Sequence, residues 1–396
     1  MIGIDKGVSD KLRITLQMLS TQPGGSGGDG GSEGGSGGSQ SGKFAYKIIT
    51  IDVPSFYSGI ELINTSIPRD LNFAHTQFLV FSEELAREGL VGEFITPLIR
   101  NREIRYSLNA LVSKESARDF IKAFDPYIGT NLARTVEDFK ALSTNHEFFS
   151  PTTLYELYDC IKSTYHQAIA MYGAVNRGEN FKEKGERWGN KYTVPGDYFA
   201  GDTPRVNGNK IEILGLALFD GDKMMGKLTG HENRILTILK GIYRRGTFTI
   251  PDPINPDYSI PIDVRQARKP DIKVEFEGSK PIIDVNIQLE GNLRDIPSRI
   301  NYESVNNLQV LEMAMEQYMK DSIKKLIEKT QQLNVDVAKF GHSAVLSFGG
   351  NITEWEEYNW NAHYKEAKIN TKVEFKARRT GTLIGSSPII KSRGKE

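Results

Sequence analysis

The chain has 396 residues, with 50 Lys and Arg against 50 Asp and Glu. That length suits two or three domains with real cores and excludes a disulfide-stapled mini-domain. The charge balance supplies no overall field for a polyanion, so no nucleic-acid partner is expected.

With 38% hydrophobic and 25% charged residues, wholesale disorder is excluded as well. The single cysteine, Cys160, excludes an intrachain disulfide and, by count, a Cys-based zinc site. The longest apolar stretches, 91–99 and 211–219, fall well short of the roughly 18 residues a membrane span needs. Residues 1–6 carry neither a basic n-region nor an apolar h-region, so no signal peptide is read there and the chain is expected to be soluble.

In chain order, Leu12, Ile14, Leu16 and Met18 alternate with polar residues, and period two predicts a strand. A strand so near residue 1 points to a piece of a longer protein. Residues 24–42 hold 11 Gly and 5 Ser, which predicts a disordered loop spanning roughly 24 Å before a second strand at 44–53. A compact alternation follows: helix 56–66, strand 75–81, helix 82–99, strand 103–112 and helix 114–124. Asp125-Pro126 and Gly129 punctuate it and place a boundary nearby.

Next come a helix at 151–163, a strand at 167–175 and a polar, Gly-rich excursion over 176–203. Strands 210–219 and 223–228 flank Asp220-Gly221-Asp222, a hairpin with Asp-Gly at its turn. After a short helix at 231–239, Val/Ile-rich strands broken by prolines over 247–289 predict an antiparallel sheet. Between 302 and 333, Val305, Leu308, Leu311, Met315, Tyr318, Met319, Ile323, Leu326, Thr330 and Leu333 form the stripe of one long amphipathic helix. A helix at 355–366, a strand at 368–378 and a fraying tail from 381 complete the pattern. The expected fold class is α+β, in three consecutive domains at 1–128, 129–245 and 246–396, each a β-sheet with surrounding helices.

No catalytic constellation emerges. Gly25, Gly27 and Gly30 match a dinucleotide fingerprint only inside low-complexity sequence that opens no helix. Asp220 and Asp222 lack the other ligands of a calcium loop, and His231-Glu232 has no second His at helical spacing. No catalytic residue, metal or cofactor is assigned.

The remaining candidates concern interaction. Arg100, Arg102 and Arg105 alternate with apolar residues and suit an anion or a partner carboxylate, with ion pairing inside the domain as the alternative. His75 is a candidate beside them, or a satisfied histidine at a strand end. Trp355, Tyr358 and Trp360, near His363 and Tyr364, form the densest aromatic cluster and suit either an interface hot spot or helix packing.

Four groups of segments carry a family resemblance. The first is Gly3-Ile4-Asp5-Lys6. The second is His75 with Ser82-Glu83-Glu84-Leu85-Ala86-Arg87-Glu88-Gly89-Leu90, Arg100 and Arg102-Glu103-Ile104-Arg105. The third is Gly215-Leu216-Ala217-Leu218-Phe219 with Asp222-Lys223-Met224-Met225-Gly226-Lys227-Leu228. The fourth is Asn334-Val335-Asp336 with Phe340-Gly341, Trp355, Asn359-Trp360 and Arg378-Arg379-Thr380-Gly381. In this order they resemble the Ger(x)C family, the C subunits of nutrient germinant receptors of endospore-forming bacteria.

The resemblance implies a non-enzymatic lipoprotein of three α/β domains on the outer face of the spore inner membrane. Such a subunit would assemble with the A and B membrane subunits of a GerA-type receptor to trigger germination. The family's acylated cysteine is expected just upstream of Gly3, and Cys160 sits mid-chain where it cannot be that anchor. The alternative is an extracytoplasmic module that captures a small nutrient, which a concave pocket of roughly 300 Å³ or more with convergent polar groups would mark.

Overall fold

The computed structural model describes residues 1–20, 45–125, 132–185 and 192–379. The Gly/Ser tract at 24–42 and the tail from 381 lie outside the described residues. Strand β1 (Ile2–Lys6) pairs antiparallel with β2 (Leu12–Ser20), and β2 pairs antiparallel with β3 (Ala45–Val53) from Leu12↔Val53 to Ser20↔Ala45. Helix α1 (Phe56–Asn64) leads to β4 (Phe78–Ser82), helices α2 (Glu83–Glu88) and α3 (Val91–Arg100), and β5 (Asn109–Ser113). Then come α4 (Ala117–Ala123), α5 (Leu132–His146), α6 (Leu154–Ile161) and β6 (Ile169–Val175), and finally the hairpin of β7 (Ile211–Asp220) and β8 (Lys223–Leu228).

These eight strands form one sheet in the order β3-β2-β1-β4-β5-β6-β7-β8. The β1, β4, β5 and β6 strands run parallel to one another. Alternation along β4 sets the two faces: Leu79 and Phe81 join the core beneath α1, α2, α3 and α6, while Phe78 and Val80 join the core beneath α4 and α5.

The second sheet contains β9 (Arg245–Pro251), β10 (Ser259–Gln266), β11 (Asp271–Glu277), β12 (Lys280–Leu293) and β13 (Lys368–Arg379). Long β12 pairs antiparallel with β10 and β11 and parallel with β13. Every second residue of β12 is buried, and Val285, Ile287 and Leu289 meet Leu311, Met315, Met319 and Ile323 of helix α8 (Val305–Leu333). Helix α7 (Gly230–Leu239) joins the two cores, because its Ile235, Leu236, Ile238 and Leu239 pack in one cluster with Leu216, Leu218 and Leu228 of the first sheet. Three short helices, α9 (Phe340–Ser347), α10 (Ile352–Tyr358) and α11 (Trp360–Tyr364), precede β13.

The mixed helix-and-sheet class expected from the sequence is what the chain has. Its described strands fall in two sheets rather than one in each of three segments, because β5 and β6 pair directly from Leu111↔Met171 to Ser113↔Gly173. The helix expected over 82–99 is two helices, since Gly89 turns left-handed (φ 81°) and caps α2. The helix expected over 355–366 is likewise broken, at Asn359 (φ 51°). The strand expected over 103–112 begins only at Asn109, and Val305, the first residue of the α8 stripe, is 71% exposed. Helix α5 was not expected, although Val136 and Phe139 carry the spacing of three that seats it in the core.

Gly215 shows how one sequence motif builds the hairpin. It sits at φ 79° in β7, where the register with β6 shifts, and its N–H donates to the Phe148 carbonyl at 2.9 Å. A Cβ there would stand 1.9 Å from the Leu228 carbonyl oxygen. Gly215→Ala is therefore expected to cost about 3 kcal/mol or more, since strain and a backbone clash coincide. Urea unfolding followed by circular dichroism checks it, and an unchanged midpoint would contradict the assignment.

Candidate interaction surface

Helix α3 ends at Arg100, whose cation complements the carbonyl end of the helix. The chain then turns through 101–108. Glu103 N–H donates to Asn101 Oδ1 at 2.9 Å, Ile104 N–H to the Asn101 carbonyl at 3.2 Å, and Leu108 N–H to the Arg105 carbonyl at 3.1 Å. Ile104 and Leu108 are buried and anchor this loop, which leaves Arg102, Arg105 and Tyr106 outside.

Neighbouring tyrosines are fixed by main-chain carbonyls. The Tyr106 hydroxyl donates to Ile99 O at 3.1 Å, and the Tyr57 hydroxyl of α1 donates to Pro97 O at 3.2 Å. On α6, the Tyr155 N–H donates to Tyr106 O at 3.1 Å. These tyrosines are 46–58% exposed, and Arg100, Arg102 and Arg105 are exposed as well. None of the three arginines has an ion-pair partner among the described residues.

His75 is exposed on the loop before β4. That loop meets the arginine loop where Phe73 N–H approaches Glu103 Oε2 at 3.5 Å and Asn109 N–H donates to Gln77 O at 2.9 Å. Both loops thus sit at the amino ends of parallel β4 and β5. His75 also lines a cleft of about 560 Å³ with Met18, Arg69, Leu71 and Phe73.

The aromatic cluster has a different place. Trp355 and Trp360 are fully buried, stacked with ring centroids 5.9 Å apart, and Tyr358 is half-buried with its hydroxyl donating to Ser279 O at 2.9 Å. Trp360 Nε1 donates to Asp336 Oδ2 at 3.0 Å. Asp336 also accepts from Phe340 N–H at 3.0 Å and Gly341 N–H at 2.6 Å, while its own N–H donates to Gln167 Oε1 at 2.6 Å. These side chains are interior, so Trp355 and Trp360 present no surface to a partner. They tie α9 and α11 together, and Gln167 ties them to the first sheet. Burial pushes the Asp336 carboxyl up to about 6 despite its three donors.

A second cleft, of about 530 Å³, opens at the carboxyl ends of β1, β4 and β5, where open parallel sheets commonly hold ligands. Asp5, Arg13, Lys114, Glu115 and Arg118 line it. Asp5 accepts from Ala117 N–H at 2.7 Å and Arg118 N–H at 3.0 Å, and burial nonetheless raises its pKa. Arg13 holds Asp52 at 2.7 Å and keeps that carboxyl well below the usual carboxylate range.

Comparison with known proteins gives the family of the chain. Residues 1–174 match the family model described as the spore germination protein N-terminal domain. Residues 214–381 match the model described as spore germination B3/GerAC like, C-terminal. The chain belongs to the Ger(x)C family. Among Ger(x)C relatives, spore germination protein KC of Bacillus subtilis (strain 168) is 23% identical over 86% of this chain and 80% of that protein. Spore germination protein GerQC of Bacillus cereus is 21% identical over 44% of this chain, a match that spans 47% of GerQC. The crystal structure of the GerBC protein shares the fold, with a TM-score of 0.54, 17% identity, and coverage of 95% of this chain and 96% of that one.

Several Ger(x)C segments now have physical reasons. The Ser82–Gly89 segment meets the hairpin through Glu83, which accepts from Arg87 at 2.7 Å and from the Tyr172 hydroxyl at 2.5 Å, and pairs with Lys227 at 3.5 Å. Gly341 is required because a Cβ would lie 2.0 Å from the Tyr165 carbonyl oxygen. Sequence reasoning missed Tyr57, Tyr106 and Tyr155 on the surface and Gln167 in the joint. An alternating loop with Tyr106 next to Arg105 was the available signal for the first. Nothing local marks Gln167, whose partner lies 169 residues away.

Proposed function

We propose that this protein is the C subunit of a spore nutrient germinant receptor, a non-enzymatic lipoprotein that works by assembling with A and B membrane subunits to trigger germination. The observation that carries this reading is the set of exposed arginines Arg100, Arg102 and Arg105, unpaired among the described residues, on a segment hydrogen-bonded to the exposed tyrosines Tyr57 and Tyr106 and to Tyr155. Arg and Tyr are the residue types that dominate interface energetics, and a rigid backing lowers the entropy they lose on binding. Outer-face loops of membrane proteins are depleted in Lys and Arg, so they suit a cationic docking surface. A single acyl chain binds membrane with only about 10⁴ M⁻¹, which makes contacts with the membrane subunits the main attachment at the outer face of the spore inner membrane.

The test is co-purification of the lipid-anchored protein with the A and B subunits. Recovery of the complex from detergent supports the reading, and its absence overturns it. The cleft lined by Asp5, Arg13 and Lys114 favours a second reading, capture of a small polar nutrient, because its charged groups converge in a volume suited to such a ligand. Calorimetry of the chain against amino acids and sugars would detect it. Saturable heats lost in Lys114→Ala support capture, and flat titrations exclude it.

A further inference from the structure

Away from the surface and the cleft just described, three ligand types meet where α6 runs into β6. A carboxylate oxygen of Asp159, the Cys160 sulfur and a ring nitrogen of His166 lie within 4.8 Å of one another. His166 is only 6% exposed, and its Nε2 has no hydrogen-bond partner among the described residues. A buried imidazole nitrogen left unpaired is costly unless something occupies it, and this ring belongs to a residue that sits beside a thiol and a carboxylate.

The remaining groups are arranged as a ligand's supports would be. His166 Nδ1 lies 3.0 Å from Ser163 Oγ, and in the tautomer that carries its proton on Nδ1 the Nε2 lone pair is free. The segment is pinned on both sides. Ser163 N–H donates to Cys160 O at 3.2 Å, Tyr165 N–H to Ser163 Oγ at 3.3 Å, and Gln167 N–H to Asp336 O at 3.4 Å.

We infer that Asp159, Cys160 and His166 form a binding site for a borderline-soft divalent cation of the zinc class, with a fourth position open to water. Thiolate, imidazole and carboxylate together select zinc-like ions over magnesium or calcium. In a tetrahedral zinc site, bond lengths of about 2.0–2.3 Å put ligand atoms roughly 3.3–3.8 Å apart, so closing the observed spread takes about 1 Å of side-chain rotation. The single cysteine argues against a thiolate-rich site, whereas a mixed set needs only one.

The thiolate and the carboxylate neutralise a dication, while Lys240, Lys339, His342 and Glu156 stand around the group. Coordination through the thiolate releases the Cys160 proton to solvent.

The experiment titrates the untagged full chain, cleared with chelator, with Zn²⁺ by calorimetry and with Co²⁺ by absorption. The site predicts one equivalent bound, a thiolate-to-cobalt charge-transfer band, loss of that band in Cys160→Ser, and about 100-fold weaker Zn²⁺ binding in that variant. Asp159→Asn, at an exposed position that folding does not depend on, should weaken binding about 10-fold. A wild-type chain that takes up no metal at one equivalent, or one whose bound Co²⁺ shows no thiolate band, overturns the site.

Discussion

Replacing Asp336 with alanine is expected to lower the unfolding free energy by about 3–5 kcal/mol. The carboxylate is fully buried and receives the N–H groups of Phe340, Gly341 and Trp360. Each donor left dry costs about 1–3 kcal/mol, and with them goes the order of the segment that packs on Gln167. Urea unfolding followed by tryptophan fluorescence reads this directly, because Trp355 and Trp360 report on the affected core. A loss below about 1 kcal/mol would mean that the carboxylate is incidental.

The same residue sets a pH dependence. Its folded pKa, about 6, is raised above the ordinary carboxylate value of 3.8. The folded state therefore holds its proton more tightly than the unfolded state. The group's contribution is fully present below about pH 4 and is lost as pH rises through about 6. Wild-type stability measured against Asp336→Asn should fall across that window and level off above it.

The second large effect concerns the surface. The triple variant Arg100→Glu, Arg102→Glu, Arg105→Glu is expected to weaken binding to the membrane subunits by at least about 100-fold. Truncating one interfacial arginine at a hot spot commonly costs 2 kcal/mol or more, and reversing charge adds repulsion where attraction stood. All three side chains are exposed and lack ion-pair partners among the described residues, so folding should change by no more than about 0.5 kcal/mol at Arg102 and Arg105 and by about 1 kcal/mol at Arg100, whose charge sits at the carbonyl end of α3. Raising salt from 0.05 to 0.5 M should weaken the wild-type complex and leave the triple variant nearly unaffected.

Much of the fold is legible in the sequence where periodicity is strong. The α8 helix and the Asp220-Gly221 hairpin follow from local pattern and lie where expected, apart from exposed Val305 at the start of the stripe. What is not legible is set by partners distant in the chain. The 101–108 loop alternates as a strand would, yet Ile104 and Leu108 anchor it four residues apart and turn it outward. No window around residues 112–171 announces that β5 and β6 pair, because parallel pairing leaves no turn signal.

The candidate surface divides along the same line. Exposure of Arg100, Arg102 and Arg105 could be read from residue type, whereas Trp355 and Trp360 are buried in a core where Asp336 and Gln167, 169 residues apart, meet. An aromatic cluster in sequence does not distinguish a hot spot from a core. The buried acceptor beneath Trp360 does.

The most direct measurement is a binding titration of the chain against detergent-solubilised A and B subunits, run beside the triple glutamate variant with circular dichroism to show that both are folded. Saturable binding by the wild type and at least about 100-fold weaker binding by the variant is the expected result. Equal affinities for the two would contradict assembly through the arginine and tyrosine surface.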